Sequence, residues 1–487
     1  MRNSKRTVGA GFYALSLLLV SLCVWLSSGE STAAQQSALS LLDGDSNLLG
    51  GLTTEKVSPD LVEKARHPQM RNERVRVILQ LEGEASSALN SLLQRADVNQ
   101  QRLLQNFNAR VLELPAHLVE KMAARGEVRF ISMDRPTLSF GHVSQTTGAD
   151  AVRISTGINT SGLDGTGIGI AVLDSGIDPS HTAFRGRINE LRVVVNRDFT
   201  GEGRTDDPYG HGTHVAATAA GNGRISNASY IGIAPNANIV NLRVLKSNGT
   251  GTVSAVLSAL DWVMTNRTLY NIRVVNMSLG APAIESYKND PVCLAVRRLV
   301  DAGVVVLVAA GNNGKDSLGQ KVYGQVHSPG NEPSAITVGA TNTFGTDERG
   351  DDVVATFSSR GPTRSSWKDA LGIRHYDNLI KPDIVAPGNK IVEAEAIDNY
   401  LVQQNPALDA GISQADGRRM MYLNGTSMAT PVAAGAAALL LQANPSLTPN
   451  LIKAILMYTA QPLAGFNMFE QGAGQINIEG AVRLARL

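Results

Sequence analysis

The sequence predicts an α/β protein, a parallel sheet covered by helices on both faces, preceded by a small α+β unit. Three observations carry that reading. Short apolar runs at 168–173, 239–245, 272–277 and 304–310 alternate with helical stretches at 211–220, 253–264 and 291–302. Strands apolar on both faces and separated by helices belong to a parallel sheet buried on both sides. Each run also ends in something polar or glycine-rich: Asp174, then 246–252, then Ser278-Leu279-Gly280, then Gly311-Asn312-Asn313-Gly314. Ligands of such sheets bind beyond the carboxyl ends of the strands, so four strand ends converge on one edge. The rhythm before residue 138 differs, with strands and helices alternating over roughly sixty residues, enough to fold against a neighbour.

Composition narrows the classes. The chain has 487 residues and a net charge of +1, which argues against a nucleic-acid partner, since such proteins carry a basic excess or stripe. No zinc-ribbon spacing and no Gly-Lys-Ser/Thr phosphate loop occurs. At the N-terminus, Arg2, Lys5 and Arg6 precede an apolar run from 8 to 26 and a small-residue stretch reaching Ala34. That pattern is a secretory signal peptide over 1–34, implying a secreted, periplasmic or extracellular protein. An uncleaved membrane anchor is the competing reading, because the run nears spanning length. A lipid on Cys23 is disfavoured by the bulky Leu22. Cleavage leaves Cys293 alone, so no disulfide staples the mature chain; within a helix, it reads as a buried, inert thiol.

In chain order, 35–73 is a polar lead-in. Residues 74–138 form the α+β unit: a strand at 75–81, helical periodicity from 89 to 107 with Leu92, Leu93, Leu103 and Leu104 on related faces, and a strand at 109–114. A helix at 117–124 after Pro115 and a strand at 128–132 complete it. His67 and His117 lie in this front part without a chemical constellation around them. A Ser/Thr/Gly-rich stretch at 138–165 marks the boundary to the large domain, 139–487.

In the large domain, the turn Asn424-Gly425-Thr426-Ser427-Met428-Ala429-Thr430-Pro431 runs into an apolar helix whose first turn suits Pro431. A hydroxyl at Ser427 then sits at a helix N-terminus, where free N–H groups and the dipole favour negative charge. Alone, such a serine is a helix cap. Upstream, Asp174 lies in Ala171-Val172-Leu173-Asp174-Ser175-Gly176, and His211 in Gly210-His211-Gly212-Thr213-His214. Acid, base and nucleophile in the order Asp, His, Ser match one of the convergent triad orders. Trypsin-like enzymes need His before Asp, and α/β-hydrolases need a His after the Ser, whereas no His follows His375.

From about Gly148 onward the chain resembles the subtilase (subtilisin-like) serine peptidase family. The resemblance rests on Asp174-Ser175-Gly176, His211-Gly212-Thr213-His214 and Gly425-Thr426-Ser427-Met428-Ala429, with Asn276-Met277-Ser278-Leu279-Gly280 and Ala309-Ala310-Gly311-Asn312 between them in family order. It implies a subtilisin-like fold, a serine endopeptidase working through Asp174, His211 and Ser427, and Asn312 as side-chain oxyanion donor. It makes the front unit a ferredoxin-like, inhibitor-like propeptide of a self-processing zymogen, one strand short unless 103–106 supplies it. Partners are then protein or peptide substrates and the chain's own propeptide. By the same resemblance, Gly249, Thr250 and Gly251 form one substrate edge and Ser278, Leu279 and Gly280 the other. Ala309, Ala310 and Gly311 would line the pocket for the residue before the cut, giving a broad, apolar preference with no acidic floor. The rival reading is a catalytically silent subtilase fold used for binding, against which all three triad residue types stand.

Some neighbours read as structural. His214, three residues from His211, could share a metal with it, but no third ligand stands nearby, so a packed or hydrogen-bonded ring is preferred. Asp178 and His181 read as structural or surface residues; Asp206 and Asp207 could bind calcium or decorate a loop, and the loop reading is preferred. The chemistry needs no cofactor; structural calcium is common in the family, but no ligand loop is assigned. Ala217 replaces the usual glycine after the His motif, Thr430-Pro431-Val432-Ala433 replaces a common Ser-Pro-His-Val, and 347–352 and 397–419 read as insertions.

Overall fold

The computed structural model describes residues 56–134, 143–153, 162–225 and 228–487, in two compact units divided between Thr137 and Leu138. The signal segment with Cys23, most of the lead-in and part of the expected boundary lie outside the described residues.

The N-terminal unit is a four-stranded antiparallel sheet of β1 (Arg74–Leu81), β2 (Asn99–Leu104), β3 (Ala109–Pro115) and β4 (Val128–Met133), in the order β2-β3-β1-β4. With helices Ser87–Leu93 and Leu118–Ala123 it has the β-α-β-β-α-β succession of a ferredoxin-like fold. Along β1, Val75, Val77, Leu79 and Leu81 turn to one face and join Leu89, Leu93, Leu118 and Met122 in a single core. Two expectations are corrected. The helix drawn from 89 to 107 stops at Leu93, and 99–104 is the missing strand, turning back through Asn108 at φ 45°. Leu92 and Leu103 stand eleven residues apart, about three helical turns, so a strand leucine fell into a helical period; Leu103 is in fact half exposed. The lead-in is also partly folded: helix Pro59–Arg66 places Leu61 in the same core, and Val57 bridges Ile131.

The large unit centres on seven parallel strands in the order β6-β7-β5-β8-β9-β10-β14. These are β5 (Gly169–Asp174), β6 (Val193–Asp198), β7 (Asn238–Arg243), β8 (Ile272–Met277), β9 (Val305–Ala309), β10 (Ile336–Asn342) and β14 (Ile384–Pro387). A short β11 (Val353–Val354) lies antiparallel on β10. Hairpins β12 (Ser366–Lys368) with β13 (Arg374–Tyr376), and β15 (Ile391–Ala394) with β16 (Met420–Leu423), stand outside the sheet. Four strands were legible as apolar runs. The other three were not: β6 is an edge strand with Val194, Asn196 and Arg197 exposed, β10 interrupts its apolar residues with Thr337, Gly339 and Thr341, and β14 is only four residues long.

Every residue of β5 is buried. Ile170 and Val172 face a core shared with helices His211–Ala220 and Thr426–Ala443; Ala171 and Leu173 face another shared with helices Val253–Asn266 and Pro291–Asp301. Helix Thr426–Ala443 is buried nearly all round, and each of Leu439, Leu440 and Leu441 is fully covered, worth roughly 1.5–3 kcal/mol apiece. This helix lies against His211–Ala220 through alanines on both and through Gly435, where a Cβ would stand 2.5 Å from Ile233 Cβ and 2.9 Å from Ala219 O. That close approach ties together the two helices whose first turns carry His211 and Ser427. The sheet order reverses about β5, opening a crevice at its carboxyl end.

Candidate active site

Asp174 is the last residue of β5, His211 the first of its helix and Ser427 the second of its own. His211 Nδ1 lies 2.7 Å from Asp174 Oδ1. Because the carboxylate only accepts, Nδ1 carries the proton and Nε2 is left as the free lone pair. Asp174 is 1% exposed; its Oδ1 also accepts the Ser175 N–H at 2.8 Å, while Oδ2 is buried without a partner among the described residues. Burial works against imidazolium at His211, yet the Asp174 charge and hydrogen bond, with the Asp207 charge behind, outweigh it and raise its pKa. Gly212 keeps this corner tight: a Cβ there would meet Gly176 O at 2.2 Å.

The Ser427 side is built from neutral bonds. Ser427 Oγ donates to the Ser278 carbonyl at 3.0 Å, so in this rotamer the hydroxyl is not bonded to the imidazole. Pro431 sits at the sixth helical position rather than in the first turn, and without an N–H it cannot bond the Ser427 carbonyl four residues back. The Ser278 hydroxyl takes that carbonyl instead, at 2.7 Å, and Asn276 Nδ2 donates to Ser278 Oγ at 3.0 Å. Asn312 Oδ1 accepts both the Thr426 N–H (2.9 Å) and the Thr426 hydroxyl (3.1 Å). A backbone N–H requires an acceptor, which fixes the amide and leaves Nδ2 as the outward donor, 3.2 Å from where a Cβ on Gly425 would stand. The Ser427 N–H, in the first helical turn, has no partner among the described residues.

Beside these groups lies a cleft of about 600 Å3 lined by His211, Tyr209, Gly249–Thr252 on one side and Ser278–Pro282 on the other. It therefore brings Gly249, Thr250, Gly251, Ser278, Leu279 and Gly280 together. Ala309, Ala310 and Gly311 are set apart from its lining: the first two are buried, and the Gly311 N–H donates to Thr426 Oγ1 at 3.1 Å. The cleft also carries carboxylates that were not anticipated. Glu285 is exposed at its wall, and Asp290 caps helix Pro291–Asp301 while accepting the Ser328 hydroxyl at 2.6 Å.

The other candidates fall into place around this edge. His214 is fully buried with Nε2 3.0 Å from Ile391 O, and burial lowers its pKa to about 3, which makes it a packed neutral ring. His181 Nδ1 accepts the Ala183 N–H and Nε2 meets Arg419 O at 2.9 Å, and Asp178 accepts from Ser180. Cys293 is buried, and burial pushes its thiol pKa well above the ordinary range. Among the described residues no group of three His, Cys, Asp or Glu is placed to hold a metal. The insertion at 397–419 reaches this site, with Tyr400 stacked on Tyr209 at 6.0 Å and the Tyr400 N–H donating to Pro208 O at 2.8 Å.

Two neighbouring residues differ where sequence treated both as loop. Asp206 pairs with Arg204 at the surface. Asp207 is 2% exposed and organises the corner: Oδ1 accepts Ser175 Oγ (2.7 Å) and the Gly210 N–H (2.8 Å), and Oδ2 accepts the Thr213 N–H (2.7 Å). The available signal was a carboxylate just ahead of a helix start. Ser175 and Thr426, seen in sequence only as motif members, turn out to anchor the acid and the amide.

Comparison with known proteins agrees with this architecture. Residues 165–475 match the family model described as the subtilase family. Serine protease AprX of Bacillus subtilis is 36% identical over 336 residues, covering 66% of this chain and 68% of that protein. Subtilisin DY of Bacillus licheniformis is 31% identical, covering 67% of this chain and 94% of that protein. The extracellular serine proteinase of a Thermus species is 32% identical, covering 72% and 70% respectively.

Proposed function

The chain belongs to the subtilase family and is a serine endopeptidase of the subtilisin type, and from that premise we propose that it cuts peptide bonds through an acyl-enzyme formed on Ser427. The observation that carries the assignment is the 2.7 Å bond from His211 to buried Asp174 on the sheet edge where Ser427 opens its helix. Rotation of the Ser427 side chain off the Ser278 carbonyl hands its hydroxyl to His211 Nε2, which takes the proton as Oγ attacks the scissile carbonyl. Apo enzymes often hold such bonds open until substrate arrives. Asp174 keeps the imidazole in the Nδ1–H tautomer and stabilises imidazolium without being protonated; the same proton then goes to the leaving amine. Asn312 Nδ2 and the Ser427 N–H receive the oxyanion, each such donor being worth about 2.7–4 kcal/mol in the transition state. Water attacks the acyl-enzyme with His211 again as base. All of this draws on side chains and backbone; calcium, if bound, would serve stability at ligands not assigned.

Extended substrate would add to the Gly249–Gly251 and Ser278–Gly280 edges as a strand, with main-chain bonds giving affinity and side-chain pockets selectivity. By the family resemblance Ala309, Ala310 and Gly311 are proposed to back the pocket for the residue before the cut, from behind the cleft lining rather than within it. The N-terminal unit is the propeptide of a zymogen, and the 1–34 segment directs export. The Thermus relative is named as extracellular, which supports that address.

A fluorophosphonate probe, with mass mapping of the adduct, tests the chemistry. Labelling at Ser427, lost in Ser427→Ala together with peptide hydrolysis, is expected; equal hydrolysis by the variant overturns the assignment. The same variant should accumulate the precursor that still carries the N-terminal unit. Normal maturation of Ser427→Ala expressed alone would remove self-processing.

A further inference from the structure

Behind the Asp174–His211 pair stands a second buried carboxylate that the chemistry above does not use. We propose that Asp207 is a positioning residue for that chemistry: it takes the single hydroxyl proton of Ser175 and the free N–H groups that open the His211 helix, and so keeps Asp174 committed to His211. This rests on the assignment of Asp174, His211 and Ser427 made above.

The argument turns on one proton. Ser175 Oγ lies 2.7 Å from Asp207 Oδ1 and 3.3 Å from Asp174 Oδ1, and it accepts the Gly212 N–H at 2.9 Å. A serine hydroxyl has one hydrogen to give. The shorter contact assigns it to Asp207, so Asp174 Oδ1 is left to the Ser175 N–H and to His211 Nδ1. Remove the Asp207 carboxylate and the hydroxyl turns to the oxygen 3.3 Å away, where it competes with the imidazole N–H. A carboxylate that gains a donor is a weaker partner for imidazolium.

Asp207 also fixes where the imidazole starts from. Its two oxygens bind the N–H groups of Gly210 and Thr213, on either side of His211 in the first helical turn, and the charge lies at the positive end of that helix. The sequence form is a carboxylate four residues before the histidine, with Pro208-Tyr209-Gly210 closing the turn. The groups acting on His211 from its surroundings are Asp174 on β5 and Asp207 on this loop. The Tyr209 ring stands 6.5 Å away, and His214 one turn along the helix is neutral.

The test reads the rate of Ser427 labelling by a fluorophosphonate against pH in the secreted wild type, Asp207→Ala and Asp207→Ala/Ser175→Ala. The acid limb reports loss of the free imidazole base. Asp207→Ala should move that limb down by about half a pH unit and lower the plateau about tenfold, with KM for a peptide substrate unchanged. Deleting the freed hydroxyl in the double variant should return part of the limb shift. A limb that stays at the wild-type pH in Asp207→Ala, with only a lower melting temperature, overturns the proposal, as does a double variant identical to the single one. If Asp207→Ala gives no folded protein, Asp207→Asn drops the charge while its amide oxygen still holds Ser175 and Gly210, and should move the limb down by less; a limb at the wild-type pH there overturns the proposal. Wild type left unlabelled at Ser427 would instead sink the underlying assignment, so the two failures are distinguishable.

Discussion

The two halves of the site are held in different ways. Around His211 the bonds are charge-assisted and buried: Asp174, Asp207 and Ser175 lock one ring orientation and one tautomer. Around Ser427 the bonds are neutral, and the hydroxyl rests on a backbone carbonyl it must leave before reacting. Bonds to ionised groups are roughly twice as strong as neutral ones. The proposed base is therefore preorganised, whereas the proposed nucleophile must change rotamer before it can meet the imidazole.

Substitutions on either half should separate along that line. Ser427→Ala breaks the comparison outright: kcat should fall by about 10^6-fold, the scale of losing the nucleophile of such a triad. Asp174→Asn should come next, at about 10^4-fold in kcat with little change in KM, because the amide favours the wrong tautomer. Asn312→Ala should cost about 10^2–10^3-fold in kcat, since Nδ2 acts only on developing charge. Ser278→Ala, which leaves the Ser427 carbonyl without its donor but keeps the acceptor for Oγ, should change stability by only about 1 kcal/mol. Steady-state kinetics and denaturant titration check these four. A Ser278→Ala loss in kcat as large as that of Asp174→Asn would show the nucleophile half to be no looser than the base half.

The pH profile sharpens the same contrast. To act as the proposed base His211 must be neutral, and its pKa is raised in the fold. Activity should therefore fall with acid at a midpoint above the ordinary histidine value of about 6.5. The sign for stability is opposite. The folded state favours imidazolium, so that contribution is full below the unfolded pKa and is lost as pH rises through the folded one. A kcat/KM acid limb below about 6.5 would contradict the raised pKa.

The sequence by itself determined the parallel sheet and put forward the candidate acid, base and nucleophile. Apolar runs such as 272–277 mark strands buried on both faces, and the order Asp174, His211, Ser427 limits the triad classes without any coordinate. Local pattern misled where it was short or shared. Helix Pro59–Arg66 spans too few residues for a period, and Leu103 mimicked the helix ending at Leu93. Only tertiary structure decided that Asp207 is buried while Asp206 is a surface ion pair, since adjacent carboxylates look alike until packing removes water from one. It also decided that the carbonyl freed by Pro431 is taken by Ser278, from a strand end about 150 residues away in sequence. Periodicity and residue order are properties of a single chain segment. Which donor meets which acceptor depends on helices brought together at contacts such as Gly435, and no segment carries that information alone.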